Sequence, residues 1–265
     1  MKKIFSGFTL KIIGIIFMVI DHVATYLGSF LHIPLWVSLL GRFVAPLFVF
    51  LMVEGFFYTR SKKKYFMRMF IGGVAMYGIN IVHNLLTKSN FNNPVTNQFD
   101  IYILLDGQNI FITLAFLFAF IWLLENLRIK VFSKVQAIGA VLVLITLIPC
   151  ILFSEGGPYE LVIALIFYLF RGNMKKITIG ISLFSLLLLL NTISGYMNNE
   201  GLGTLYQNLT FNNEFMIITV LPFIYLYNGK RGGNGAKWQK NLFYYFYPIH
   251  LIIIYLLRDI FAGIL

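Results

Sequence analysis

The sequence predicts an all-α protein: a polytopic transmembrane helical bundle of about nine spans, forming a single integral membrane domain over residues 1–265. Three observations carry that prediction. Of the 265 residues, 59% are apolar and only 12% charged, too few charges to cover a soluble domain of this size. The apolar residues gather into runs approaching the roughly 20 helical residues needed to cross about 30 Å of hydrocarbon. Finally, cations recur between alternate runs, as they do in the loops of membrane proteins.

The runs are 7–28, 36–58, 67–86, 109–127, 135–153, 157–170, 177–197, 210–227 and 241–260. The first follows Met1-Lys2-Lys3, a start suited to a signal peptide, but no small-residue cleavage site closes it and Asp21-His22 interrupt it. It is expected to stay as a retained helix. In the second, Pro46 is placed to kink the helix one turn below Arg42. The third is followed by 87–108, rich in Asn and carrying Pro94 and Asp106-Gly107, which is expected to be the longest non-helical piece. Within it Ile101–Leu105 is apolar enough to rest on the membrane surface. The fourth and fifth are uninterrupted, and the single cysteine, Cys150, near the end of the fifth excludes an intrachain disulfide. The sixth run is short. The seventh leads into 198–208, where Gly201 and Gly203 predict a flexible loop. The eighth is expected to be one span, and the ninth contains the aromatic stretch Tyr244-Tyr245-Phe246-Tyr247 with Pro248.

Charge orders these runs across the membrane. Lys2 and Lys3, then Arg60, Lys62, Lys63, Lys64 and Arg68, then Arg128, Lys130 and Lys134, then Arg171, Lys175 and Lys176, then Lys230, Arg231, Lys237 and Lys240 all fall on one side of a nine-span chain. The other side carries Lys88 with Asp100, Asp106, Glu155 and Glu200. The positive-inside rule places the N-terminus in the cytoplasm and the C-terminus outside. Deleting the short sixth run would put Arg171, Lys175, Lys176 and every later cluster on the wrong side. The net charge of +11 is therefore topological, and a nucleic-acid partner is not expected.

Polar groups at membrane depth mark the candidate site, because an ionisable side chain there costs several kcal/mol unless paired. Asp21, His22 and Arg42 each lie about 10 Å below the outer boundary, counted at the helical rise. Asp21 and His22 are sequence neighbours and point about 100° apart, so they do not form a catalytic pair with each other. Asp21 is expected to pair with Arg42, with Gly41 allowing close approach. His22, sharing a face with Lys11 and Met18, is then either a general base or part of a structural network joining the first two helices. Glu54, about 18 Å further in, reads either as an ion pair with nearby Arg60 and Lys64 or as the lining of a cytoplasmic mouth. Asn80, His83 and Asn84 cluster at the outer end of the third run. Asn109 and Thr113 suit a helix cap. His250, near mid-membrane, is the second candidate base. On the cytoplasmic side Gly229-Lys230-Arg231-Gly232-Gly233 could hold phosphates with backbone N–H groups and cations, or serve as a plain basic loop. No metal-binding cluster, nucleotide-binding loop or Ser-His-Asp array is present in the sequence.

Met18-Val19-Ile20-Asp21-His22, Gly41-Arg42-Phe43-Val44-Ala45-Pro46-Leu47-Phe48 and Val53-Glu54-Gly55-Phe56 together resemble the opening of the TraX family. Asn109–Thr113, Leu123-Leu124-Glu125, Tyr168-Leu169-Phe170-Arg171, Tyr227–Gly232 and Phe243–His250 extend the resemblance along nearly the whole chain. The family comprises polytopic membrane proteins whose named member is linked to N-terminal acetylation of conjugative pilin, and it is similar in outline to membrane acyltransferases acting on envelope polymers. The resemblance implies Asp21, His22, Arg42, Glu54, Lys230, Arg231 and His250 as site positions.

The expectation is thus an acetyltransferase of the bacterial plasma membrane. It would take an acetyl group from cytoplasmic acetyl-CoA to an envelope acceptor: a protein amine, a cell-wall polymer or a lipid headgroup. His22, Asp21, Arg42 and His250 would be catalytic. Lys230, Arg231, Gly229, Gly232 and Glu54 would bind the acyl donor. The alternatives are a secondary transporter, for which inverted repeats would be needed, and a non-enzymatic assembly protein.

Overall fold

Seven of the described helices begin where a small polar side chain satisfies the N–H groups that a first turn leaves open. Ser6 caps α1 (Gly7–Leu27), and Ser61 caps α3 (Lys62–Thr87) after α2 (Val44–Tyr58). Asp100 opens the short α4 (Ile101–Leu105), and Asn109 opens α5 (Ile110–Arg128). Ser133 with Gln136 forms a capping box on α6 (Lys134–Leu152), and Asn173, beyond α7 (Gly157–Leu169), caps α8 (Met174–Met197). Further on come α9 (Leu205–Phe211), α10 (Leu221–Leu226) and α11 (Lys237–Phe261), with 3-10 helices at Leu35–Gly41 and Glu214–Val220. The computed structural model describes residues 3–88, 90–198 and 203–264, without the side chain of Lys240. Lys2, Glu200 and Gly201 lie outside the described residues. Among those described there is no strand, only isolated bridges such as that between Phe5 and Tyr227.

All nine apolar runs are helical in whole or in part. Among the described residues six helices are long and apolar enough to cross a membrane: α1, the 3-10 segment with α2, α3, α5, α6 and α8. A seventh is added if α9 and Glu214–Leu226, which meet at 61°, form one broken span. The sixth run becomes α7, only 13 residues long. The ninth run becomes α11, where tyrosines, His250, Arg258 and Asp259 dilute the apolar content. The chain is therefore a polytopic helical membrane protein.

Two expected continuous spans are broken, and the reasons are local. The second run does not kink at Pro46. The helix stops at Gly41, turns through Arg42 and Phe43, and restarts as α2 at Val44. That puts Pro46 in the first turn, where its missing N–H is no loss. The eighth run breaks because Asn213 turns its amide onto the Thr210 carbonyl (3.0 Å) and the Ser38 hydroxyl (3.1 Å). Two expected loops also contain helix. Asp100 folds 101–105 into α4, and a Thr204–Gln207 capping box starts α9 where only flexible loop was expected.

The chain forms two compact units. The first comprises Met1–Gly55 and Tyr159–Phe243, the second Phe56–Pro158 and Tyr244–Leu265. In the first unit Phe43 stacks on Phe223 (4.2 Å between centroids) and Phe48 on Phe243 (4.2 Å), while Phe50 meets both Phe167 and Tyr227. In the second, Phe118 lies between Phe56 and Tyr65. There the Asn109 side chain donates to the Gly73 carbonyl (2.9 Å), joining α3 to the start of α5.

The orientation follows from charge alone and is directly testable. A reporter inserted between Ser61 and Lys64 is expected to be protected outside the cell and labelled from the cytoplasm, whereas one appended at the C-terminus is labelled from outside. Both reporters on one side would overturn the nine-span count.

Candidate functional site

The first unit brings together most of the polar residues singled out by sequence. Near its C-terminal end α1 packs along the 3-10 helix Leu35–Gly41, and at the end of that helix Arg42 turns back onto Asp21. One terminal nitrogen, Nη2 of Arg42, donates to both Asp21 oxygens, at 2.6 and 2.8 Å. The approach is possible because residue 41 has no side chain: a Cβ there would lie 2.4 Å from both Cβ and Oδ1 of Asp21. The Nε–H of Arg42 is also buried, and it has no hydrogen-bond partner among the described residues. A buried donor left open costs about 1–3 kcal/mol, so this one is an uncommon feature of the pair. His22, one residue from Asp21, is 6% exposed, with its ring edge-on to Tyr26.

Lower in the same unit Glu54 is paired, but with neither Arg60 nor Lys64. Its carboxylate accepts from Nε of Arg171 at 2.7 Å and from Nη2 at 3.4 Å. Phe50, one turn before Glu54, touches Phe167, one turn before Arg171, and also Tyr227. Tyr227, which directly precedes the loop beginning at Asn228, thus packs one turn from the ion pair.

That loop is fastened to the start of α1. The N–H groups of Ile4 and Phe5 donate to the Leu226 carbonyl, Asn228 N donates to Phe5 O (2.8 Å), Gly7 N to Lys230 O (2.9 Å) and Phe8 N to Arg231 O (2.8 Å). Gly232, at φ +68°, packs where any Cβ would strike Oγ of Ser6, the cap of α1. The N–H of Lys230 is held by the Asn228 side chain at 2.9 Å. The expected cradle of loop N–H groups is thus partly closed, since these backbone groups serve α1 and the turn. What the loop presents outward, around Gly229, is the exposed side chains of Lys230 and Arg231.

His250 belongs to the second unit. It is buried, its Nδ1 lies 3.0 Å from the Phe246 carbonyl, and its ring stacks on Phe246. Because a carbonyl only accepts, Nδ1 carries the proton in that bond and Nε2 is the basic nitrogen. Pro248 sits inside α11 without ending it.

The family model described as TraX protein matches residues 6–258. The chain belongs to the TraX family. A relative, the probable fimbrial assembly protein FimC, serogroup H1, of Dichelobacter nodosus, is 28% identical over 259 residues, covering 94% of each chain. No solved structure matches.

This TraX-family chain also holds polar groups that the sequence reading passed over or valued too low. Nε2 of His83 donates to Oδ2 of Asp259 (2.7 Å), and Asp259, fully buried, takes a second bond from Nε of Arg258 (2.8 Å). Arg258 and Asp259 were legible by the argument applied to Asp21, as adjacent charges within an apolar run. Glu155 was read only as a loop charge. Its carboxylate accepts from the Asn109 backbone N–H and, at 3.4 Å, from the Tyr247 hydroxyl, and its carbonyl accepts from the Thr113 hydroxyl at 2.9 Å. Asn109 caps α5 as expected, and the same turn anchors Glu155.

Proposed function

We propose that this protein is an acetyltransferase of the bacterial plasma membrane that takes an acetyl group from cytoplasmic acetyl-CoA to an envelope acceptor, a reading compatible with a relative named for fimbrial assembly. The observation that carries this reading is the buried, open Nε–H of Arg42, whose guanidinium is held by Asp21, the sequence neighbour of the buried His22. A donor fixed in a water-poor site and aimed at no protein acceptor suits an oxyanion that exists only during reaction.

His22 takes the proton from the acceptor hydroxyl or amine as its lone pair adds to the thioester carbonyl. Arg42 stabilises the resulting oxyanion, and Asp21 keeps the guanidinium in place. Collapse of the adduct breaks the C–S bond, the thiolate of CoA leaves, and the acetyl group remains on the acceptor. Lys230 and Arg231 bind the phosphates of the donor. Glu54 contributes through Arg171, the cation it holds. From Gly7, bonded to Lys230, to His22 is 15 residues, about 22 Å of helix, a distance the pantetheine arm must span or across which the acyl group must be relayed. His250 stands as the alternative base.

Purified full-length protein incubated with acetyl-labelled CoA is expected to bind it, hydrolyse it slowly and, with an acceptor present, transfer the label. Lys230→Ala with Arg231→Ala is expected to weaken donor binding by roughly tenfold or more, two charge-assisted contacts being lost. Absence of binding at millimolar acetyl-CoA would overturn the reading, and proton-coupled solute uptake into vesicles would replace it with transport.

A further inference from the structure

The first unit contains a polar cavity of about 210 Å³ that the proposed chemistry does not use. It lies among α7, the C-terminal part of α8, α9 and the 3-10 helix Glu214–Val220, and its polar lining is Tyr159, Asn191, Thr192, Asn208, Asn212 and Glu214. Part of this wall is a fixed frame. Asn208 Nδ2 donates to the Thr192 carbonyl (3.0 Å), Asn212 Nδ2 to Asn208 Oδ1 (2.9 Å), and Thr192 Oγ1 to the Asn212 carbonyl (3.3 Å). Those bonds hold the cavity open before any ligand arrives, which lowers the ordering cost of binding. The Asn191 amide, the Glu214 carboxylate and the Tyr159 phenol are not consumed by that frame.

The chemistry of this lining selects its ligand. No Lys, Arg or His lines the cavity, so a phosphate or carboxylate would meet Glu214 with no compensating cation. A lipid chain would leave carboxamides, a hydroxyl and a carboxylate facing hydrocarbon. A lone ammonium would use Glu214 and strand the amide donors. A ligand that presents several neighbouring hydroxyls, each both donor and acceptor, answers amides, phenol and carboxylate together, and its C–H face suits the tyrosine ring. We propose that this cavity binds one ring of a neutral saccharide. Combined with the acetyl transfer proposed above, on which this extension rests, the site makes a sugar-bearing polymer the acceptor. The binding itself does not depend on that reading.

The test uses the full chain in lipid nanodiscs and saturation-transfer NMR with four probes: glucose, N-acetylglucosamine, glycinamide as an ammonium and methyl phosphate, whose methyl protons report on phosphate binding. At millimolar concentration both sugars are expected to receive saturation, and the ammonium and phosphate are not. Asn191→Ala and Glu214→Gln are each expected to weaken sugar binding roughly tenfold while leaving acetyl-CoA binding unchanged. Tyr159→Phe, which keeps the ring and the fold, is expected to weaken it several-fold. No sugar signal in the wild type, sugar binding unchanged in these variants, or glycinamide binding in place of sugar would each overturn the proposal. Sugar binding without any acetyl-CoA binding would uphold the site and remove only its role as acceptor pocket.

Discussion

His22→Ala is expected to lower acetyl transfer from acetyl-CoA by about 100-fold or more, the usual loss when a proton-transfer group is removed, with insertion and donor binding intact. The separation of rate from folding is the informative part. An imidazole that merely fills the core next to Tyr26 would leave a cavity when removed, lower the melting temperature and keep the activity of each surviving molecule near normal. His22→Gln, which preserves volume and one hydrogen-bonding edge, provides the second measurement. It is expected to be as inactive as the alanine variant and more stable. Normal activity per folded molecule in both would remove His22 from the chemistry and leave His250 as the base.

The largest stability effect is expected at the pair beside it. Asp21→Asn leaves Arg42, itself largely buried, without its counter-charge and should cost about 3 kcal/mol, read as a lower melting temperature and lower yield in detergent. Gly41→Ala should act on the same contact from the other side, because the new methyl would occupy the space of the Asp21 carboxylate, 2.4 Å from Oδ1. The double variant Asp21→Asn with Arg42→Gln removes both charges and should regain part of the loss without regaining activity. Wild-type stability in Asp21→Asn would show that the pair does not hold α1 against the turn at Arg42.

What the sequence disclosed, and what it hid, divides along physical lines. The long helices were legible because hydrocarbon imposes their length and composition. The Asp21–Arg42 pair was legible because two charges at equal depth in adjacent runs have few other ways to be satisfied, and because Gly41 advertised close approach. Of the two readings left open for Glu54, the ion pair forms, but with a partner other than Arg60 or Lys64. Cations within ten residues looked sufficient, and nothing local announces Arg171, 117 positions away. The breaks at Arg42 and Asn213 were hidden because hydropathy averages over a window and does not register where a backbone changes hydrogen-bond pattern. Asp259 was missed for a simpler reason. It lies at the end of the ninth run and drew no reading there, whereas in the structure it is buried on His83 and Arg258.

The clasp between the start of α1 and the 226–232 loop has a consequence for how the protein is made. Its two sides are separated by 223 residues, counted from Phe8 to Arg231. At ordinary translation rates of roughly 5–20 residues per second, about 10–45 s pass after α1 leaves the ribosome before its carbonyl partners exist. The Asp21–Arg42 contact, with 21 residues between its members, forms within seconds of synthesis. The end of α1 that carries Asp21 is thus secured early, while its N-terminal end waits for nearly the whole chain. During that interval the open N–H groups of Ile4, Phe5, Gly7 and Phe8 are left to water and lipid headgroups. The loop carrying Lys230 and Arg231 reaches its final shape only when that end is captured, so the cationic end of the molecule is completed last.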